Sequence, residues 1–354
     1  MRKPLMATLA VLVTVAVAGS GIAFASSSTR HHPHRHPHPQ PTPSPTASPT
    51  ASPMPSPTVS ASPTPSQSTS TPPAKPPNGG PCALPGYPNE TCTGVPAGTA
   101  LTTVNGDVVI STPNAVIDRE DIRGCVNVRA PGVTIRRSKV SCRNSIVIAS
   151  FDGVYTGTGL LIEDTEVSCL GTSGTGVGDT NFTASRVGIH DCENGFDIDQ
   201  DATVEDSYIH NLYNSAESHT DGIQFAQGHY QIVNGKYARD ASGKPVLLHD
   251  AANITVRHNT IYSYNTTDHQ DGTSAIISNR GSDTNVLIED NLLAGGAYTL
   301  YCDGGTGVNY RVLNNHFTTA FHPKVGVYGA TTDCADETYS GNVVQETGQV
   351  VPGD

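Results

Sequence analysis

One short pattern recurs along this chain: aliphatic, any residue, aliphatic, two polar residues, then Ser, Thr or Asn, any residue, aliphatic. It occupies 133–140 and returns at 160–167, 202–209, 254–261, 286–293 and 310–317, with looser versions closing on Ile122, Ile189 and Val344. The units are short, alternating and separated by Gly, Asn and Asp, which predicts strands and excludes helices. A coil of 20-odd residues cannot bury its own inner face, so stacked coils must supply the core. The expected fold is all-β, a right-handed parallel β-helix with equivalent positions one strand spacing apart, ~4.8 Å. Two residues before each closing aliphatic stand Ser138, Thr165, Ser207, Asn259, Asn291, Asn315 and Asn342. Four successive Asn at one turn predict a hydrogen-bonded ladder along the stack.

The cysteines follow the same repeat. Cys125 and Cys142 lie three and two residues past neighbouring closing aliphatics, and Cys169 and Cys192 two and three. Stacking brings such positions within the ~4.4–6.8 Å between Cα atoms that a disulfide requires. The expected bridges are Cys125–Cys142 and Cys169–Cys192, with Cys82–Cys92 as an N-terminal clip and Cys302–Cys334 near the end.

Before the repeats the pattern changes. Arg2 and Lys3, an apolar run over 5–18 and Ala23-Phe24-Ala25 read as a secretory signal peptide cleaved after Ala25, residues 1–25. An uncleaved membrane anchor is the competing reading. Residues 26–80 are Pro, Ser, Thr and Ala with almost nothing to bury, so a disordered, extended linker is expected, suited to holding a domain off a cell wall. Its 31–38 stretch carries five histidines, read as a polar piece of linker or a transition-metal trap. One β-helix domain fills 81–354 and is expected to be a secreted monomer, its even cysteine count matching an oxidising compartment.

Charge narrows the partners. The first 80 residues hold five basic residues and no acid, leaving the domain 15 basic against 32 acidic, a formal −17. Such a surface repels nucleic acid and disfavours a polyanionic glycan unless a cation bridges the two. Trp is absent, so any sugar-stacking platform comes from the 13 Tyr.

Two features point to chemistry. The interval from Ile209 to Ile261 is 52 residues, so about 25 residues, roughly 228–252, leave the stack as an excursion. His229, Tyr230 and Lys236 within it are candidate substrate-binding residues. Beside it begins the first of two His-x-Asp-Gly tetrapeptides, His219-Thr220-Asp221-Gly222, matched by His269-Gln270-Asp271-Gly272. Gly and the preceding Asp suit a tight turn, and Asn194-Gly195 occupies that place one coil earlier; turn chemistry does not explain the histidines. If the tetrapeptides stack, Asp221 and Asp271 lie ~5 Å apart. That spacing suits a glycosidase carboxylate pair or a Ca²⁺ site extended by Asp197, with Zn²⁺ a further possibility. Asp197, Gln224 and Ser274 prolong the row two positions past each Gly, and Asp199 and Asp201 add carboxylates.

With these repeats, the chain over about 100–350 resembles secreted members of the pectin-lyase-like parallel β-helix superfamily. The resemblance implies fold more than activity, because that superfamily holds lyases, hydrolases, epimerases and adhesins. Thr220-Asp221-Gly222 is similar to the Asn-Thr-Asp-Gly of polygalacturonase-type hydrolases, with His219 in place of Asn. Gln270 replaces one acid of that family's Asp pair, its Gly-His-Gly and Arg-Ile-Lys motifs are missing, and only Asn279-Arg280-Gly281 occupies a comparable region. The Trp-Ile-Asp-His of pectate lyases is absent. The leading expectation is a polysaccharide lyase acting on a uronate glycan. A cation on Asp221 and Asp271 would neutralise the carboxylate, His219 or His269 would take the C5 proton, and Arg280 or Tyr301 would protonate the leaving oxygen. A hydrolase using Asp221 and Asp271 is the alternative, and a non-catalytic carbohydrate-binding or adhesin module the third.

Overall fold

The computed structural model describes residues 82–354, apart from 151–158, 216–217, 226–228, 231, 234–235, 242, 244–245, 279–281, 303, 305–306 and 336. The expected signal peptide, the linker and Arg280 therefore lie outside the described residues. Within them the chain is an all-β parallel solenoid with no helix.

Each coil contributes to three parallel ladders. The first begins with Thr102–Asn105, Glu120–Arg123 and Lys139–Ser141 and passes through Thr260–Asn265 and Leu292–Gly295 to Val343–Val344. The second starts at Val108–Ile110 and includes Asp221–Phe225, Ser274–Ser278, Tyr298–Tyr301 and Gly329–Thr332. The third starts at Val116–Asp118 and includes Ala252–Arg257, Thr284–Glu289 and Val308–Leu313. Two long strands, Glu166–Ser185 and Gly188–Glu205, run through all three.

The closing aliphatics set the register. Ile122, Val140, Val167, Ile189, Ile209, Ile261, Leu293, Phe317 and Val344 pair successively in the first ladder. All but the last are buried. Burying such a side chain contributes roughly 1.5–3 kcal/mol, so a slip of one residue, which turns every inward side chain outward, is strongly disfavoured.

The corner between the third and first ladders is a single left-handed residue. Arg137, Asp164, Arg186, Asp206, His258, Asp290 and Asn314 hold φ between 48° and 56°, and Gly341 completes the row. Directly after it comes the buried ladder. Asn259 Nδ2 donates to Asn291 Oδ1 at 3.0 Å, Asn291 to Asn315 at 2.9 Å, and Asn315 to Asn342 at 3.0 Å. Their second amide protons reach the carbonyls of Val204, Val256 and Ile288. A second, exposed ladder joins Asp201, Asn253, Asn285 and Asn309. Asp201, a candidate carboxylate in the sequence, is thus the acceptor at the end of a structural row.

All four expected disulfides are present, with Cα–Cα distances of 6.5 Å for Cys82–Cys92, 5.0 Å for Cys125–Cys142, 4.6 Å for Cys169–Cys192 and 5.0 Å for Cys302–Cys334. The Cys82–Cys92 segment lies along the outside of the stack as a strap. Two residues past it the Gly94 N–H donates to the Arg186 carbonyl at 2.9 Å, and within it the Tyr87 ring meets His258 and His316 at 5.9 and 5.7 Å. The excursion leaves after Phe225 and returns at Ala252, which pairs with Gln200. Its backbone forms antiparallel pairs, His229–Tyr230 with Leu247–His249 and Ile232–Val233 with Lys236–Tyr237. His229, Tyr230 and Lys236 therefore stand on a protruding β-ribbon.

Candidate functional site: a carboxyl ridge on the second ladder

The two His-x-Asp-Gly tetrapeptides do not stack. Asp221 pairs with Ser274, and Ile223 with Ile276, so the second tetrapeptide falls three residues short. The reason is local: Asp221 lies twelve residues after Ile209, but Tyr264 and Asn265 fold back antiparallel onto Asp271 and Gln270 before the second ladder resumes. This offset removes the expected register pairing of Asp221 with Asp271. The glycines differ as well, and neither takes a left-handed φ. A Cβ on Gly222 would lie 2.3 Å from Ile261 Cγ2, whereas one on Gly272 would meet Ser263 Oγ at 2.5 Å. Gly222 is there to let the chain approach the core, not to turn it.

His219 and His269 are both exposed. His269 tops the fold-back at φ 61°, with Nδ1 3.3 Å from the Tyr264 hydroxyl. Asp271 is occupied elsewhere. Both its oxygens accept from His322 Nε2, at 2.8 and 2.9 Å, and Oδ1 also accepts the Gly296 N–H. Tyr264, stacked on Phe321 at 4.5 Å, stands edge-on to His322 at 5.8 Å. His322 lies in a loop without repeat pattern, so no signal in the sequence marks it.

What the second ladder does hold is a cluster of carboxyl groups on three successive coils, none of them in register with another. Asp197 and Gln224 are in register, and each alternates with buried neighbours, Phe196 and Ile198 or Ile223 and Phe225, so both face outward. Asp179 stands one coil earlier, opposite Ile198, and is half-buried like Asp197. Asp199 and Asp221 are buried, at 4% and 1% exposure. Thr175 Oγ1 donates to Asp197 at 2.6 Å, and Asn194 Nδ2 reaches both Asp197 and Gln224 at 3.1 Å. Asn194 Oδ1 accepts the Asp221 N–H, while Ser274 Oγ donates to the Asp221 carboxyl at 2.6 Å. Gln224, Ile277 and Tyr301 continue the outward column.

The ridge holds protons. Burial lifts Asp179 to about 7, and the charges of Asp197 and Asp199 push the same way. Burial lifts Asp221 to about 7 as well, against the Ser274 bond and with the charge of Asp197 adding. Asp197 is also raised, by burial, although its bonds to Thr175 and Asn194 oppose the shift. Carboxyl groups crowded in this way titrate as a set and stay partly protonated near neutrality. Burial raises Tyr301 too, and the negative charge of Asp221 adds to it.

A Ca²⁺ site built from Asp197, Asp221 and Asp271 does not fit this arrangement. Asp271 is committed to His322 and Gly296, and among the described residues no three His, Cys, Asp or Glu side chains gather as ligands.

No family model, curated protein or solved structure matches the chain. The parallel β fold rests on the chain's own register.

Proposed function

We propose that this chain is an extracellular glycan-cleaving protein, a glycoside hydrolase in which Asp179 and Asp197 serve as general acid and partner carboxylate. One observation carries the reading: two half-buried carboxyls on adjacent coils, both raised in pKa, with Asp179 lifted to about 7 by burial and then by the charge of Asp197. Asp179 stands one residue out of register with Asp197 on the adjacent coil, near enough for the Asp197 charge to act on it. One carboxyl of such a pair keeps its proton for the glycosidic oxygen. The other, ionised, attacks the anomeric carbon as the protonated leaving group departs, and water, deprotonated by the first, then hydrolyses the glycosyl ester. Gln224, held by Asn194, supplies a neutral hydrogen-bonding group for sugar hydroxyls. The apolar N-terminal run and four disulfides support an extracellular location.

Elimination on a uronate is the second reading. It is favoured by His322, an imidazole oriented by both oxygens of Asp271 with Tyr264 beside it.

The test is a panel of neutral and uronate-bearing polysaccharides, assayed for new reducing ends with and without EDTA. Hydrolysis should appear, unaffected by the chelator. Asp179→Asn and Asp197→Asn should each lower it by ~100-fold or more. An unsaturated product lost in His322→Gln would select elimination instead. A wild-type protein that cleaves nothing in the panel, or two fully active Asn variants, would overturn the hydrolase.

A further inference from the structure

The first coils carry a charge opposite to the rest of the domain. Seven of its fifteen basic residues fall within 119–143, against only Glu120 and Asp121. The fold turns that run into a stripe across the width of the solenoid. Arg119, Arg136 and Arg137 stand at the corner before the first ladder, all three paired with the single carboxylate of Asp118. Arg123 and Lys139 lie on the outer face of the first ladder, and Arg143 donates to the Leu170 carbonyl at the next corner.

Two of the acids in this stripe sit beneath their cations, while Lys139 is bonded to Glu166 at 2.6 Å. Arg123 is 61% exposed above Asp121 at 18%, and Arg119 is 57% exposed above Asp118 at 21%. Exposed ion pairs of this kind are worth ~0–1 kcal/mol, so an incoming anion exchanges with them at little cost. The same face holds a groove of about 550 Å³ between Leu101 and Leu170, floored by Arg123, Lys139, Thr103 and Ser141, with Asp121 among its lining beneath Arg123. Two apolar walls with cations and hydroxyls between them suit a sugar ring carrying a negative group. The groove ends at Leu170, five residues before Thr175, which bonds Asp197.

We infer that this groove is an accessory site that holds an anionic extracellular polysaccharide by its carboxylate or phosphate groups. It stands whether or not the carboxyl ridge is catalytic. The stripe concentrates positive charge where the remaining domain is strongly acidic, so the polymer is drawn to one end of the molecule and repelled from the other.

Calorimetric titration of the full chain tests it, with a uronate oligosaccharide, a glycerol-phosphate polymer and a neutral oligosaccharide as probes. Either anion should bind, more weakly at high salt, and the arm that binds identifies the charged group. The double variant Arg123→Gln/Lys139→Gln should weaken that binding by about tenfold or more. Arg257→Gln, which removes an exposed arginine paired with Glu205 on another face, should leave it unchanged. Melting temperatures check that every variant is folded. Failure of both anions to bind, binding confined to the neutral probe, or equal loss in Arg257→Gln would overturn the site. Anion binding without any glycan cleavage would uphold the site and remove the hydrolase.

Discussion

His258 donates through Nε2 to the carbonyl oxygen of Gly86 at 3.1 Å, tying the N-terminal strap to a coil 172 residues later. Its Nδ1 faces the Asp206 carboxylate. Both partners only accept, so both nitrogens carry protons and the ring is an imidazolium. Burial opposes that charge, but the bonds to Asp206 and Gly86 outweigh it, and the pKa is raised. A folded pKa above the unfolded ~6.5 gives stability that is complete below ~6.5 and lost as pH climbs through the raised value. His258→Gln should therefore cost about 1–2 kcal/mol near pH 6 and less near pH 9, read by calorimetry. Equal losses at both would mean that the ring only packs against Tyr87.

His190 should give a wider window. Its Nδ1 and Nε2 meet Asp191 at 2.7 Å and Glu166 at 3.2 Å. Burial disfavours the cation, yet the two carboxylates carry the pKa up to about 9. The sign is the same as for His258, so this contribution persists from acid to about 6.5 and fades through about 9. His190→Gln should flatten the fall in melting temperature over that range. An unchanged slope would place the titrating group elsewhere.

The buried ladder makes a prediction without charge. Asn291 accepts from both Asn259 N and Asn259 Nδ2 and donates to Val256 O and Asn315 Oδ1. Asn291→Ala strands these groups in the core, each at ~1–3 kcal/mol less what water recovers. A loss on the order of 3 kcal/mol in denaturant titration is expected. A loss below ~1 kcal/mol would mean that the ladder adds little beyond the aliphatic stack.

Register was legible in the sequence because one face of every coil is buried. Ile209 can only sit over Ile189 and under Ile261, and Cys125 over Cys142 follows from the same count. The ridge was harder to see. The two tetrapeptides look equivalent when counted from Gly222 and Gly272, but the core counts from Ile209 and Ile261, and the fold-back at 264–271 is invisible to an aliphatic pattern. Asp197 was visible as a residue but not as a neighbour of Asp179, because the register of the 166–185 strand shifts along its length. His322 escaped notice because its partner Asp271 lies 51 residues earlier, in a different irregular segment.

The glycines offer a direct test of that distinction. Gly195, Gly222 and Ala275 occupy equivalent inward places, and a Cβ on Gly222 would meet Ile261 Cγ2 at 2.3 Å and the Ala275 carbonyl at 2.5 Å. Gly222→Ala should cost ~1–3 kcal/mol or more through overpacking. Ile261→Leu moves the branch from Cβ to Cγ and so removes the Cγ2 methyl that it strikes. The pair of changes should then recover part of the loss, with a coupling of ~0.5 kcal/mol or more. Strict additivity would mean that the glycine is required for its backbone rather than for space.

Asp221→Asn separates activity from stability. The carboxyl is 1% exposed, and burial raises its pKa to about 7, with Asp197 adding and Ser274 opposing. For an acid raised from an unfolded ~3.9, the folded state binds the extra proton between ~4 and about 7. Stability therefore falls as pH rises through that range and stays low above it. Asn keeps the shape, accepts the Ser274 hydroxyl and cannot ionise. The variant should match the wild type near pH 4 and exceed it near pH 8, by on the order of 2 kcal/mol. Activity should survive, because the carboxyls of Asp179 and Asp197 are both retained. A variant that is destabilised at pH 8 would show that the Asp221 carboxylate is wanted in its charged form, and would reverse the reading of the ridge as a proton store.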